Sequence, residues 1–156
     1  MLYTLREKLI AARDEVAEII VKEHGKTLSD ATGELMRAMQ YVEHPCGIPE
    51  LLKGSFSEDL GSGVDEYFIR EPLGVFSILP PFNFPAMIAL YFTRPFACGN
   101  TVVVKPSELC AMTMLRITEL AEEFFLMRLP IQSGNGTRPV AAGMTGLLVG
   151  KPVHEP

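Results

Sequence analysis

Two apolar runs in this chain each end in residues suited to chemistry. Leu73–Leu79 runs into Pro80-Pro81-Phe82-Asn83-Phe84-Pro85, and Thr101–Val104 runs into Lys105-Pro106-Ser107-Glu108. In parallel α/β sheets, ligands bind beyond the carboxyl ends of the strands. Lys105 offers ammonium donors and Glu108 carboxylate acceptors, a pair able to hold the vicinal hydroxyls of a ribose. A carboxylate at that point repels a 2′-phosphate, which favours NAD over NADP. Asn83 offers a neutral amide donor at a turn, suited to steadying a developing oxyanion. The competing reading is that Lys105 and Glu108 are surface charges and that Asn83 caps a helix.

The elements that must position these residues follow from periodicity. Leu5, Leu9, Ala12, Val16 and Ile19 predict an amphipathic helix over 4–24, ended by Gly25. Leu28, Ala31, Leu35, Ala38, Met39 and Val42 predict a second helix over 28–43, closed by Pro45 and Gly47. Residues 1–53 therefore read as a helical hairpin. The Gly- and Ser-rich stretch 54–63 reads as loop, and Val64–Arg70 as a strand, giving a connecting unit at 54–72. Leu73–Leu79 predicts a strand buried on both faces. A helix then runs from Pro85 to about Cys98, and Gly99-Asn100 stops it. Thr101–Val104 is a second strand, and Ser107 is the N-cap of a helix reaching roughly Met127. Strand, helix, strand, helix over 73–127 makes the fold class α/β: the helical hairpin plus the first βαβα part of an incomplete Rossmann-like parallel sheet. Residues 128–156 read as an irregular Gly/Pro-rich tail, with Gly146–Gly150 as a short strand.

Composition narrows the function. The chain has 156 residues, 47% of them apolar, and a net charge of −5, which argues against a nucleic-acid partner. No Asp, Glu, Lys or Arg lies between Glu71 and Arg94, a stretch long enough to suggest a membrane span. Pro80, Pro81, Asn83 and Pro85 would break such a helix in lipid, so no membrane partner is expected. No cysteine pair has zinc-ligand spacing, and no metal site is expected. An odd number of cysteines, and a start at Met1–Lys8 without signal-peptide character, point to a reducing, cytoplasmic setting. Gly61-Ser62-Gly63 and Gly146–Lys151 both fail the glycine-loop patterns for phosphates. Cys110 falls in the first turn after Ser107, where a helix N-terminus lowers a thiol pKa.

Four motifs in order add a resemblance: Glu23-His24-Gly25-Lys26-Thr27, Arg70-Glu71-Pro72-Leu73-Gly74-Val75, Pro81-Phe82-Asn83-Phe84-Pro85, and Gly99-Asn100 through Lys105-Pro106-Ser107-Glu108. With them, residues 23–120 resemble the aldehyde dehydrogenase superfamily. Phe82, Val42-Glu43-His44-Pro45-Cys46-Gly47-Ile48-Pro49 and Gly63-Val64-Asp65-Glu66-Tyr67 make the chain most similar to the CoA-acylating methylmalonate-semialdehyde dehydrogenases. The resemblance implies oxidation of a small-molecule aldehyde on a cysteine, with hydride passed to NAD and the acyl group to CoA. It implies Asn83 in the oxyanion hole, Pro80, Pro81 and Phe82 where the cofactor packs, and Lys105, Pro106, Ser107 and Glu108 at the adenosine ribose. It implies subunit association, with like or unlike chains, through 56–71. It also implies a cytosolic setting in bacteria and a mitochondrial one in eukaryotes. Cys46, Cys98 and Cys110 match no family nucleophile, and the tail lies outside the resemblance. The chain thus reads as an N-terminal fragment of a methylmalonate or malonate semialdehyde dehydrogenase, inactive by itself. The alternatives are a non-catalytic truncated paralogue that joins full-length subunits, and a fragment of another aldehyde dehydrogenase branch.

Overall fold

The computed structural model describes residues 1–122 and two short backbone strands, Met127–Arg128 and Leu147–Val149. The expected single N-terminal helix is two: α1 (Leu2–Ala11) and α2 (Arg13–His24), broken at Ala12. Beyond the break the buried face shifts to Val16, Ala17 and Ile20, leaving Ile19 half-buried. Next comes α3 (Leu28–Cys46), which keeps Pro45 inside its last turn, and then the single turn α4 (Ile48–Leu51). The expected loop over 54–63 is instead strand β1 (Ser55–Gly61), antiparallel to β2 (Val64–Phe68). Every residue of both strands is exposed. The hairpin therefore owes nothing to burial, and the sequence pattern that marks a half-buried strand is missing from its first arm.

Strand β3 (Val75–Ile78) pairs in parallel with β4 (Thr101–Val104), and the chain between them is helical. That helix is three short pieces rather than one: α5 (Pro85–Ala89), a 3-10 turn (Leu90–Phe92) and α6 (Thr93–Ala97). After β4, a 3-10 turn (Glu108–Cys110) precedes α7 (Ala111–Ala121), a shorter helix than the reading to Met127. Leu147–Val149 forms a strand as expected, here β6, but it lies antiparallel to β4 and to β5 (Met127–Arg128). Sheet order is β3-β4-β6-β5. Other sequence expectations after Glu122 lie outside the described residues.

The core forms where α1, α2, α3, α7 and the helical segment 85–97 pack together, with β3 and β4 contributing one side-chain face. Leu5, Leu9, Val16, Ile20, Leu35, Val42, Leu90, Phe92, Val102, Val104 and Ile117 are all fully buried in it. β3 is not buried on both faces. Phe76 and Ile78 pack on the core, while Val75 remains 71% exposed. As the edge strand, it has helices over one face only among the described residues.

Buried Asn100 ties the two parallel strands to the helix between them. Its Oδ1 accepts from Gly74 N at 2.9 Å, and its Nδ2 donates to Pro95 O at 2.9 Å. Gly99, at φ +82°, makes the turn before it, with Pro72 Cγ 3.0 Å from where a Cβ would stand. Asn100→Ala should cost about 1–3 kcal/mol in urea denaturation, since it removes two side-chain hydrogen bonds worth about 0.5–1.5 kcal/mol each. An unchanged midpoint would mean that water replaces both bonds.

Candidate active-site cleft

The turn joining α2 to α3 organises the site. Gly25 ends α2 in the left-handed conformation, φ +83°, with its N–H on Val21 O. Thr27 caps α3 by accepting from Asp30 N. Between them Lys26 turns inward. Its Nζ lies 2.5 Å from Glu34 Oε2, donates to Asn83 O at 2.7 Å, and stands 4.4 Å over the Phe84 ring.

Glu34 sits on the apolar face of α3 between Ala31 and Ala38, with its side chain 1% exposed. Its Oε1 accepts from Ala86 N at 2.8 Å and from Met87 N at 3.1 Å. Helix α5 opens with Phe84 and Pro85 and has no cap of its own. A carboxylate from another helix therefore satisfies its first free N–H groups. Asn83 does not cap α5. Its backbone carbonyl is held by Lys26, and its amide makes no hydrogen bond among the described residues. Asn83 lines a cleft of about 650 Å³ together with Phe82, His24, Lys26, Asp30 and Arg37. Arg37 is exposed there and forms no ion pair among the described residues.

The second strand end stands beside the first, since Ile78 and Val104 are register partners, yet it does not line the cleft. Among the described residues, half-buried Lys105 makes only a 3.5 Å contact from Nζ to Pro106 O. Ser107 Oγ accepts from Leu109 N, and Glu108 is exposed. No ion pair joins Lys105 to Glu108 among the described residues. Pro80 is buried at the turn, while Pro81 and Phe82 face solvent.

Cys110 reverses its sequence expectation. The N–H groups of Met112 and Thr113 at the start of α7 are already taken by the Glu23 carboxylate, at 2.9 and 3.0 Å, and Thr113 Oγ1 also donates to it. Burial first, then the charges of Glu23 and Glu34, push the Cys110 thiol up. Burial likewise raises that of Cys46. No cysteine lines the Asn83 cleft. Among the described residues no group of three or more His, Cys, Asp or Glu could hold a metal ion, and no helix is long and apolar enough to cross a membrane.

Residues 1–131 match the family model described as the aldehyde dehydrogenase family. The chain belongs to the aldehyde dehydrogenase family. It is 38% identical over 145 residues to a malonate-semialdehyde dehydrogenase of Pseudomonas aeruginosa, covering 92% of this chain and 29% of that one. It is 46% identical over 111 residues to the acylating, mitochondrial methylmalonate-semialdehyde dehydrogenase of Arabidopsis thaliana, covering 70% of this chain and 18% of that one. The crystal structure of the methylmalonate-semialdehyde dehydrogenase of Oceanimonas doudoroffii superposes with a TM-score of 0.75 at 42% identity, over 78% of this chain and 25% of the other. A Sinorhizobium meliloti protein assigned to the same activity, crystallised with NAD, gives 0.74 at 40%, over 78% and 25%. This aldehyde dehydrogenase chain thus spans under a third of the length of those relatives. The similarity reaches past Glu122 into the Gly/Pro-rich segment, further than the four motifs carry it.

In the sequence Lys26 stands out only within the Glu23–Thr27 motif, and Glu34 only as one position of the helix over 28–43. The available signal was an acidic side chain interrupting the apolar stripe of α3. Glu34→Ala should destabilise the chain by about 3–5 kcal/mol, because the largely buried Lys26 and the N–H groups of Ala86 and Met87 lose their carboxylate, and Glu34→Gln by less. In a thiol titration near neutral pH, Cys110 should stay unmodified until the chain unfolds, since a raised pKa means less thiolate. Rapid labelling of folded protein at Cys110 would contradict the burial argument.

Proposed function

We propose that these residues supply the oxyanion and cofactor-ribose contacts of an NAD-dependent, CoA-acylating malonate or methylmalonate semialdehyde dehydrogenase. The observation that carries the reading is the Asn83 amide: its turn is held rigid from behind by Lys26, and the amide itself is left unengaged in an open cleft. In that position it can donate to the oxygen of an aldehyde under attack, where a preorganised donor is worth most. Arg37, on the same cleft and free of any ion pair among the described residues, suits the carboxylate of the semialdehyde. Bound NAD would supply the hydride acceptor. Lys105 and Glu108, both without ion partners among the described residues, fit its ribose hydroxyls, and the exposed Pro81 and Phe82, with Pro80 buried behind them, fit its packing surface. None of the cysteines lines the cleft, so by the family route the 156 residues alone oxidise no aldehyde.

A second reading rests on the exposed hairpin. Phe56, Tyr67 and Phe68 stand in water, which suits strands that associate with full-length subunits. Co-elution with such a subunit, lost on deleting 55–68, would support association without catalysis.

The test is a chimera of the Pseudomonas aeruginosa enzyme carrying residues 1–122 of this chain in place of its own matching segment. Asn83→Ala should lower kcat about 10²–10³-fold. Lys105→Ala and Glu108→Gln should raise KM for NAD with kcat nearly unchanged, and Arg37→Met should raise KM for malonate semialdehyde. An active chimera indifferent to Asn83→Ala would overturn the proposal.

A further inference from the structure

One cluster of side chains has no part in that scheme. Tyr41 on α3 and Tyr91 in the 3-10 turn after α5 stack at 4.8 Å between ring centroids, and the Tyr91 hydroxyl donates to the Tyr41 hydroxyl at 3.3 Å. The Tyr41 O–H is then a donor with no acceptor among the described residues. The Arg94 guanidinium lies 4.6 Å over the Tyr41 ring; it is exposed and, like Arg37, forms no ion pair among those residues. The hydrogen bond to Tyr41 and burial push the Tyr91 phenol up, with Arg94 opposing, so the Tyr91 phenol stays a neutral donor near pH 7.

Tyr41, Tyr91 and Arg94 do not line the cleft itself, but Tyr41 continues the face of α3 on which Glu34 and Arg37 line it. Glu34, which holds the Asn83 end, Arg37 and Tyr41 follow one another along a face of α3 at helical spacing. Met87 and Tyr91 match them along the facing segment, touching α3 at Glu34 and Tyr41 respectively. Tyr41 with Arg94 therefore stands about one helical turn, roughly 5.4 Å, further from Asn83 than Arg37 does. Two unpaired arginines at two distances from one amide, the outer one beside a free hydroxyl donor, make two stations for a carboxylate.

We infer that Arg94, with the Tyr41 hydroxyl to which Tyr91 donates, forms a second carboxylate-recognition site, which lets the Asn83 cleft take ω-oxo acids several methylenes longer than malonate semialdehyde. This rests on the Asn83 cleft being the aldehyde site. Arg37 serves the short acid and Arg94 the long one, and the stacked tyrosines keep the Arg94 guanidinium from folding back.

The chain has no tryptophan and only four tyrosines, so tyrosine fluorescence reports directly on the pair. The 156-residue chain is titrated with malonate and with adipate, whose second carboxylates stand for the oxidised aldehyde end, and circular dichroism confirms that each variant is folded. Adipate should quench more strongly and bind about ten-fold more weakly to Arg94→Met, a loss typical of a charge-assisted contact. Malonate affinity should be unchanged by Arg94→Met and lowered by Arg37→Met. Arg94→Lys should restore part of the adipate affinity. Equal adipate binding by wild type and Arg94→Met, or no saturable adipate binding to wild type, would overturn the second site. The kcat of the Asn83 chimera is a separate readout, so failure of the subsite and failure of the active-site reading are told apart.

Discussion

The structure depends on one buried ion pair. Glu34 lies in the interior and Lys26 at the cleft wall beside it, and each does something beyond neutralising the other: Glu34 closes the N-terminus of α5, and Lys26 holds the carbonyl of Asn83. A carboxylate buried this deeply is tolerable only when charge and lone pairs are both satisfied, and here they are. A parallel arrangement repeats nearby. Glu23, three residues before Lys26, closes α7 through Met112 and Thr113. The helices that follow β3 and β4 thus begin without local caps and borrow carboxylates from the N-terminal hairpin. The Glu23–Thr27 motif is therefore a structural hub: a cap for one helix, a left-handed turn, a largely buried cation and an N-cap within five residues. The Asn83 turn cannot reach its final geometry until the hairpin has docked.

This explains which parts were legible in the sequence. Helices with sustained apolar periodicity, such as α3, and the β-branched strand β4 announce themselves because burial of one face writes a local pattern. The Asn83 turn and the Lys105–Glu108 strand end were also visible, since proline punctuates both. What was illegible is non-local or unburied. The break at Ala12 shows only as a one-residue change in the buried face. The arm β1 has no buried residue and therefore no pattern, and its Gly and Ser content imitates a loop. The exposure of Val75 depends on strand order, and an apolar run cannot encode its own position at a sheet edge. The fate of Cys110 turned on Glu23, about ninety positions away in sequence.

The same pair also determines which groups are left to act on a substrate. Lys26 is a cation beside Asn83, and a free ammonium there would compete for any anionic ligand. An ammonium has three donors, and here they are directed at Glu34, at the Asn83 carbonyl and at the π face of Phe84. Its charge is cancelled by a partner at 2.5 Å. Lys26 therefore fixes the turn without offering a donor to the cleft. The neutral Asn83 amide is left as the donor nearest the turn, and the guanidinium groups able to meet a carboxylate are displaced along α3 and α6. On the proposed reading, an acid that also carries an aldehyde would bind with its carboxylate outward and its carbonyl at Asn83. The orientation would then follow from committing the nearest positive charge, Lys26, to the fold.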